Sequence, residues 1–183
     1  MAFNGRVTEQ PAIRLIEPLP VRDDVTLRRW RGDDAPGIAE ACSYPEIAKW
    51  IPVPSPYPVE EARRYVQLTE HWWRSGENFV LCIAEDDEVI GSISLRMDRD
   101  RPSIGYWLAK SVRGRGIMTR AVEVFSKWSS ETFGLREVWI FVQPANSTSR
   151  AVAQRAGFVE HHERVTWPDA KERMLYRLPL GTD

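Results

Sequence analysis

The period of the apolar positions changes several times along the chain, and each change marks an element. Val25 to Arg31 alternates at the two-residue period of a half-buried strand. Asp33 and Asp34, followed by Ala35-Pro36, supply a cap and a first-turn proline, predicting a short helix to about Cys42. Trp50 to Pro58 then carries four prolines. That density rules out helix or central strand and predicts a stiff loop whose apolar residues pack against the domain. Helical spacing returns over Val59–Arg74, with Val59, Ala62, Tyr65, Val66, Trp72 and Trp73 separated by charged residues. Phe79–Glu85 and Val89–Arg96 flank Asp86-Asp87-Glu88 as a strand-turn-strand unit. Ser103–Ala109 reads as a third consecutive strand. Met118, Ala121, Val122, Phe125 and Trp128 trace one face of a helix from Ile117 to Thr132. A short strand, Val138–Val142, precedes a helix over Ser147–Ala156, which Gly157 stops. Val159–Val165 and Met174–Leu178 end the pattern as strands. This order predicts an α/β (α+β) domain over residues 25–180. Pro11, Pro18 and Pro20 make residues 1–24 an extended arm.

Composition narrows the class. With 183 residues, 43% apolar and 28% charged, the chain can bury one core. A net charge of −1 argues against a protein that holds nucleic acid through many phosphates, and against a polybasic membrane anchor. The longest apolar run, Phe79 to Ala84, is far below the ~20 residues a bilayer requires. The first residues lack the apolar stretch of a secretory signal, so a soluble, cytoplasmic protein is expected. Cys42 and Cys82 fall in a helix and a strand, as buried free thiols would. His71, His161 and His162 show no zinc-ligand spacing with them, and no metal is expected. The eight tryptophans supply core or pocket wall, and such aromatic excess is compatible with a homodimer.

The chemistry concentrates in Trp107-Leu-Ala-Lys-Ser-Val-Arg113-Gly-Arg-Gly116-Ile-Met-Thr119. A strand runs into a glycine-bearing loop that opens an amphipathic helix. Gly114 and Gly116 allow backbone N–H groups to converge, and the helix start adds free donors and a favourable dipole. Arg113 and Arg115 add guanidinium groups suited to phosphate oxygens. A P-loop run is absent. A Rossmann fingerprint would need glycine at Thr119 and a series of βαβ units.

Arg113-Gly-Arg-Gly116-Ile-Met118 resembles the pyrophosphate loop of the GNAT N-acyltransferase superfamily, Gln/Arg-x-x-Gly-x-Gly/Ala, with Met118 at the last small position. Two more segments share the likeness. Ile104-Gly-Tyr-Trp-Leu108 is similar to the fourth strand of the ribosomal-protein (RimJ/RimL-type) branch. Asn146-Ser-Thr-Ser149-Arg-Ala-Val152 through Gly157-Phe158 looks like that branch's N-x-x-S-x-x-V…GF segment. The proline-rich Trp50–Pro58 loop running into Glu60-Glu61-Ala62 also fits. The resemblance spans about residues 25–178 and implies a mixed, mostly antiparallel sheet with helices on both faces, splayed to admit a pantetheine arm.

It also implies an activity: transfer of an acetyl group from acetyl-CoA, as co-substrate, to a primary amine, with no metal. By resemblance, backbone groups at Leu108 and Ala109 bind pantetheine. Arg113, Gly114, Arg115, Gly116, Ile117 and Met118 hold the pyrophosphate. Asn146 contacts the pantetheine or acyl region, and Ser149 sits near the sulfur and protonates the leaving thiolate. Trp50, Tyr57 and Tyr106 are expected at the acceptor. The strand Ser103–Ala109 lacks the glutamate many relatives carry, leaving Glu160, His161, His162, Glu163 or water as base. Alternation puts His161 and Glu163 on one face of their strand, Glu160 and His162 on the other. An acyl-CoA-binding module without transfer, a succinyl-CoA-dependent transferase and a nucleotide-binding module remain alternatives; thiol release over an amine panel separates transfer from mere acyl-CoA binding, and a nucleotide-binding module would take adenine nucleotides without requiring pantetheine.

Overall fold

A computed structural model describes residues 17–51, 53–98, 100–166, 169 and 171–181. The strands are β1 (Leu19–Arg22), β2 (Val25–Arg28), β3 (Asn78–Glu85), β4 (Glu88–Arg96), β5 (Ser103–Leu108), β6 (Glu137–Val142), β7 (Val159–Thr166) and β8 (Glu172–Pro179). The α-helices are α1 (Ala35–Cys42), α2 (Pro45–Ala48), α3 (Val59–Ser75), α4 (Ile117–Phe133) and α5 (Ser147–Arg155). All the strands join one sheet in the order β1-β2-β3-β4-β5-β6-β8-β7. Only the β5–β6 pair is parallel.

Two elements depart from the pattern-based expectation. Leu19–Arg22, assigned above to an extended arm, pairs with β2 as the outer strand of the sheet. Its one proline, Pro20, is tolerated because an edge strand has one side that needs no donors. Residues 1–16 of that arm lie outside the described residues. The one-turn helix α2 was not anticipated. Pro45 starts it with a preset φ, and it is too short to show a period.

One face of the sheet packs Ile93, Leu95, Ile104, Leu108, Val138 and Ile140 against Ile117, Ala121, Val122 and Phe125 of α4. A second cluster joins Ile38, Ala39 and Cys42 of α1 to Ile47 and Ala62. The strand alternation places Ser92 and Ser94 toward that second layer, so helices cover both faces. The start of α1 is clamped by Arg28, which holds Asp34 with two 2.8 Å hydrogen bonds and Asp87 with one of 3.0 Å. Arg28 and Asp34 are both buried, so each depends on the other to remain charged there.

The centre of the sheet positions the site. On β4, Ile90 is an extra residue opposite the Ile83–Ala84 step of β3, a bulge that bends the strand. Gly91 follows it. A Cβ there would lie 2.6 Å from the Trp107 carbonyl oxygen, so only glycine lets β5 approach this closely. Beyond β5, pairing to β6 is confined to Ser103 opposite Trp139, with Trp139 N donating to Pro102 O at 2.9 Å. From that point the two strands diverge.

Candidate functional site

The diverging strands open between two helix starts. At one, a single 3₁₀ turn (Lys110–Val112) leads from β5 into Gly114, at φ 81°, and Gly116, at φ 77°, which caps α4. Within the first turn of α4 no acidic side chain competes for the N–H donors. Residues 113–116 are exposed while Ile117 and Met118 are buried, so the last two offer only their backbone N–H groups. The Met118 side chain packs in the α4 core, which explains how this position takes a residue larger than glycine or alanine.

Both arginines depart from the expected phosphate clamp. Arg115 makes a double hydrogen bond to the Glu85 carboxylate, at 3.0 and 2.5 Å, with Asp24 3.8 Å away. Arg113 turns back and donates from Nε to the Leu108 carbonyl at 3.0 Å. A local sequence pattern contains no information about Glu85, which lies 30 residues away. The cradle is therefore one of backbone dipoles, with the guanidinium groups bracing the loop.

At the strand end, Ala109 is corrected. Its N–H donates to Ile90 O at 2.8 Å and is spent inside the sheet. Alternation then turns the Leu108 and Tyr106 N–H groups the other way, into the gap beside β6. Leu108 is the strand-end donor available to an extended ligand.

Across the gap, Asn146 caps α5, its Oδ1 accepting from Ser149 N at 3.1 Å. The Ser149 hydroxyl lies 3.0 Å from the phenol oxygen of Tyr106, which also donates to the Ser149 carbonyl at 3.1 Å. Burial pushes the Tyr106 phenol up to about 12, so it stays protonated near neutrality. Tyr106 also lines a cavity of about 220 Å³ reached from the α1 side, with Tyr57, Tyr65, Trp107, Ser92 and Ser94 among its walls. No carboxylate lines it.

These features coincide with a match to known proteins. Residues 24–159 fit the family described as "Acetyltransferase (GNAT) domain". The chain belongs to the GNAT acetyltransferase family. "Uncharacterized N-acetyltransferase p20" of Bacillus licheniformis is 26% identical over 156 residues, 82% of this chain and 88% of that one. "Putative ribosomal N-acetyltransferase YdaF" of Bacillus subtilis (strain 168) is 29% identical over 170 residues, covering 86% and 82%. Among solved structures, RimL, a ribosomal L7/L12 alpha-N-protein acetyltransferase in complex with coenzyme A, superposes with a TM-score of 0.75 at 21% identity, covering 90% of this chain and 98% of that one. The RimJ/RimL-type resemblance is thus supported, and the protein is a GNAT-type N-acetyltransferase.

In this acetyltransferase the two candidate carboxylates on β7 are paired, and its two histidines make ring contacts. Glu163 accepts from Arg101 at 2.6 Å, and that contact holds its carboxyl below the usual range. Glu160 takes hydrogen bonds from Arg164 at 2.9 Å and from the Tyr176 phenol at 3.3 Å. His161 meets Trp139 edge-on and His162 at 4.3 Å between ring centres. None of the four lines the cavity. Among the described residues no group of three or more His, Cys, Asp or Glu is arranged to hold a metal ion, and no helix is long and apolar enough to cross a membrane.

The proline-rich loop divides into two parts. Tyr57 and Val53 line the cavity, whereas Trp50 does not and instead sits beneath the Lys49 ammonium, 4.7 Å from the ring centre. Pro52 lies outside the described residues. Tyr65, Trp107, Ser92 and Ser94 were missed because their helix and strand periods read as ordinary packing. Losing an aromatic wall contact is worth about 0.5–1.5 kcal/mol. Tyr57→Ala should therefore raise the acceptor KM about two- to tenfold, with Trp50→Ala near wild type in steady-state assays.

Proposed function

We propose that the chain transfers the acetyl group of acetyl-CoA directly to a primary amine of low pKa, such as a protein or peptide N-terminus. The single observation that carries this is the gap between β5 and β6, which joins a backbone anion cradle at one end to the Ser149 hydroxyl at the other. A pantetheine arm is an extended chain with amide groups, matched to the free N–H groups of Leu108 and Tyr106. The diphosphate would meet the backbone from Gly114 to Met118, braced by Arg113 and Arg115. Solved relatives whose descriptions include acetyl-CoA with AMP, and coenzyme A, support this donor. Asn146 fixes the first turn of α5, and Ser149 supplies the proton for the departing sulfur.

The acceptor reading rests on the cavity. It has tyrosine and serine hydroxyls but no carboxylate, so it suits an amine already neutral in solution. An α-amine with pKa ~7.8 is about one quarter neutral at pH ~7.4, against about one part in a thousand for a lysine-type amine near ~10.4. One relative named a putative ribosomal N-acetyltransferase and a ribosomal-protein-serine acetyltransferase of Escherichia coli agree with a protein acceptor. Thiol release should be at least about tenfold faster with peptides bearing a free N-terminus than with the same peptides bearing only a free lysine. Equal rates, or a preference for polyamines, would overturn the acceptor class. Binding of acetyl-CoA without thiol release over the whole panel would instead indicate a sensor.

A further inference from the structure

We propose that the enzyme reads its acceptor beyond the amine, with Arg96 selecting a single acidic side chain about two to four residues after the first. The inference rests on the reading above, in which a protein or peptide N-terminus enters the cavity of about 220 Å³.

The register of β4 with β5 lays one row of positions along the α1 face of the sheet. Ser92 pairs with Trp107, Ser94 with Gly105 and Arg96 with Ser103, while Ile93 and Leu95 point the other way, into the core against α4. The first two pairs line the small cavity, and the third lines a second cavity of about 680 Å³. Pairs that follow one another on the same face stand about 7 Å apart, so the two cavities are successive steps of one groove. Gly105 is the step between them. It is exposed, and a Cβ there would lie 3.3 Å from Ser94 Oγ, so its lack of a side chain keeps the floor open. An extended polypeptide advances about 3.3 Å per residue. With its amine over the Ser92–Trp107 and Ser94–Gly105 pairs, its third to fifth residues pass Arg96.

Two guanidinium groups line the larger cavity. That of Arg101 is occupied by Glu163, at 2.6 Å, and by the face of Trp139, 5.1 Å from the ring centre. That of Arg96 is exposed and has no hydrogen bond, ion pair or ring contact among the described residues. A carboxylate arriving along the groove therefore meets an unpaired cation at a position fixed by the strand. Asp98 and Asp100 line the same cavity past the end of β4, where Asp98 Oδ1 accepts from Asp100 N at 3.4 Å. Their charges oppose a run of acidic residues, which limits the selected feature to one carboxylate at Arg96.

The test is a competition for acetylation, at low ionic strength, between peptides with a free N-terminus that carry alanine, glutamate or lysine at the third, fourth or fifth position. At one of these positions glutamate should raise kcat/KM about two- to fivefold over alanine, the range of an exposed ion pair, and lysine should lower it. In Arg96→Ala the ratio of glutamate to alanine peptide should fall to about one. In Arg96→Glu the preference should pass to lysine. About 1 M salt should abolish the wild-type preference, since exposed charges are then screened within about 3 Å. Because Arg96 is exposed and unpaired, both variants should melt like the wild type. Acetylation of all the peptides without a charge preference, or the same glutamate preference in wild type and Arg96→Glu, overturns the role of Arg96 and leaves the acceptor class standing. Transfer to small amines but to none of the peptides overturns the acceptor class, and the role of Arg96 with it.

Discussion

Gly116→Val is expected to lose acetyl-CoA affinity by about 10- to 100-fold while remaining folded. The reason is conformational. A Cβ at Gly116 meets nothing within 4 Å, so crowding is not the cause. The residue stands at φ 77° as the cap of α4, a region where a non-glycine residue costs about 1–3 kcal/mol. Valine, branched at Cβ, is among the least tolerant there. The loop relieves that strain by rotating its peptide units, which turns the converging N–H groups away from a common point. Arg113 and Arg115 cannot substitute, since their guanidinium groups are held by Leu108 and Glu85. Calorimetry with coenzyme A, alongside thermal melting, checks the result. Unaltered affinity in the folded variant would remove the diphosphate from this loop.

Ser149→Ala should lower kcat on the order of 10²-fold, with little change in the acetyl-CoA KM. The hydroxyl is expected to matter when negative charge gathers on sulfur, and much less in the ground state. The helix cap does not depend on it, because Asn146 Oδ1 bonds the Ser149 backbone N–H, which alanine retains. Loss of fold is thereby separated from loss of chemistry. A hydroxyl role predicts partial recovery in Ser149→Thr, where a donor remains, measured as single-turnover thiol release. Equal kcat in Ser149→Ala and wild type would leave the residue as part of the first turn of α5 and no more.

Most of the architecture was legible from local pattern, since the long helices bury one periodic face and the central strands are short apolar runs bounded by turn residues. Met118, Ala121, Val122 and Phe125 could be placed on the inner face of α4 by spacing alone, and all four are buried. Val159 to Val165 reads as a strand, and β7 extends over it to Thr166. What escaped was set by partners distant in the chain. Leu19–Arg22 is a strand because β2 offers it an edge, and its own Pro20 and the preceding Pro18 argue the other way. Arg115 lies in a loop that reads as a phosphate clamp, and only the fold brings Glu85 to it. Ala109 and Leu108 looked equivalent at the strand end, but the register with β4 consumes one N–H and spares the other. Trp50 and Tyr57 share one proline-rich loop, and the packing of α1 and α3 decides which of them reaches the cavity.

The confinement of the β5–β6 pairing to Ser103 and Trp139 makes the sheet two half-sheets hinged at one seam. A donor bound as proposed, in the open part of that seam, would act as mortar between them, satisfying backbone groups from the β1–β5 half while touching α5 on the other. Anything that fills the seam and binds only the folded chain stabilises it by RT ln(1 + [L]/Kd), so the gain keeps growing as its concentration exceeds Kd. Donor affinity and resistance to unfolding are then one quantity read in two ways. A substitution that weakens the seam should be felt first in how much the fold gains from its ligand.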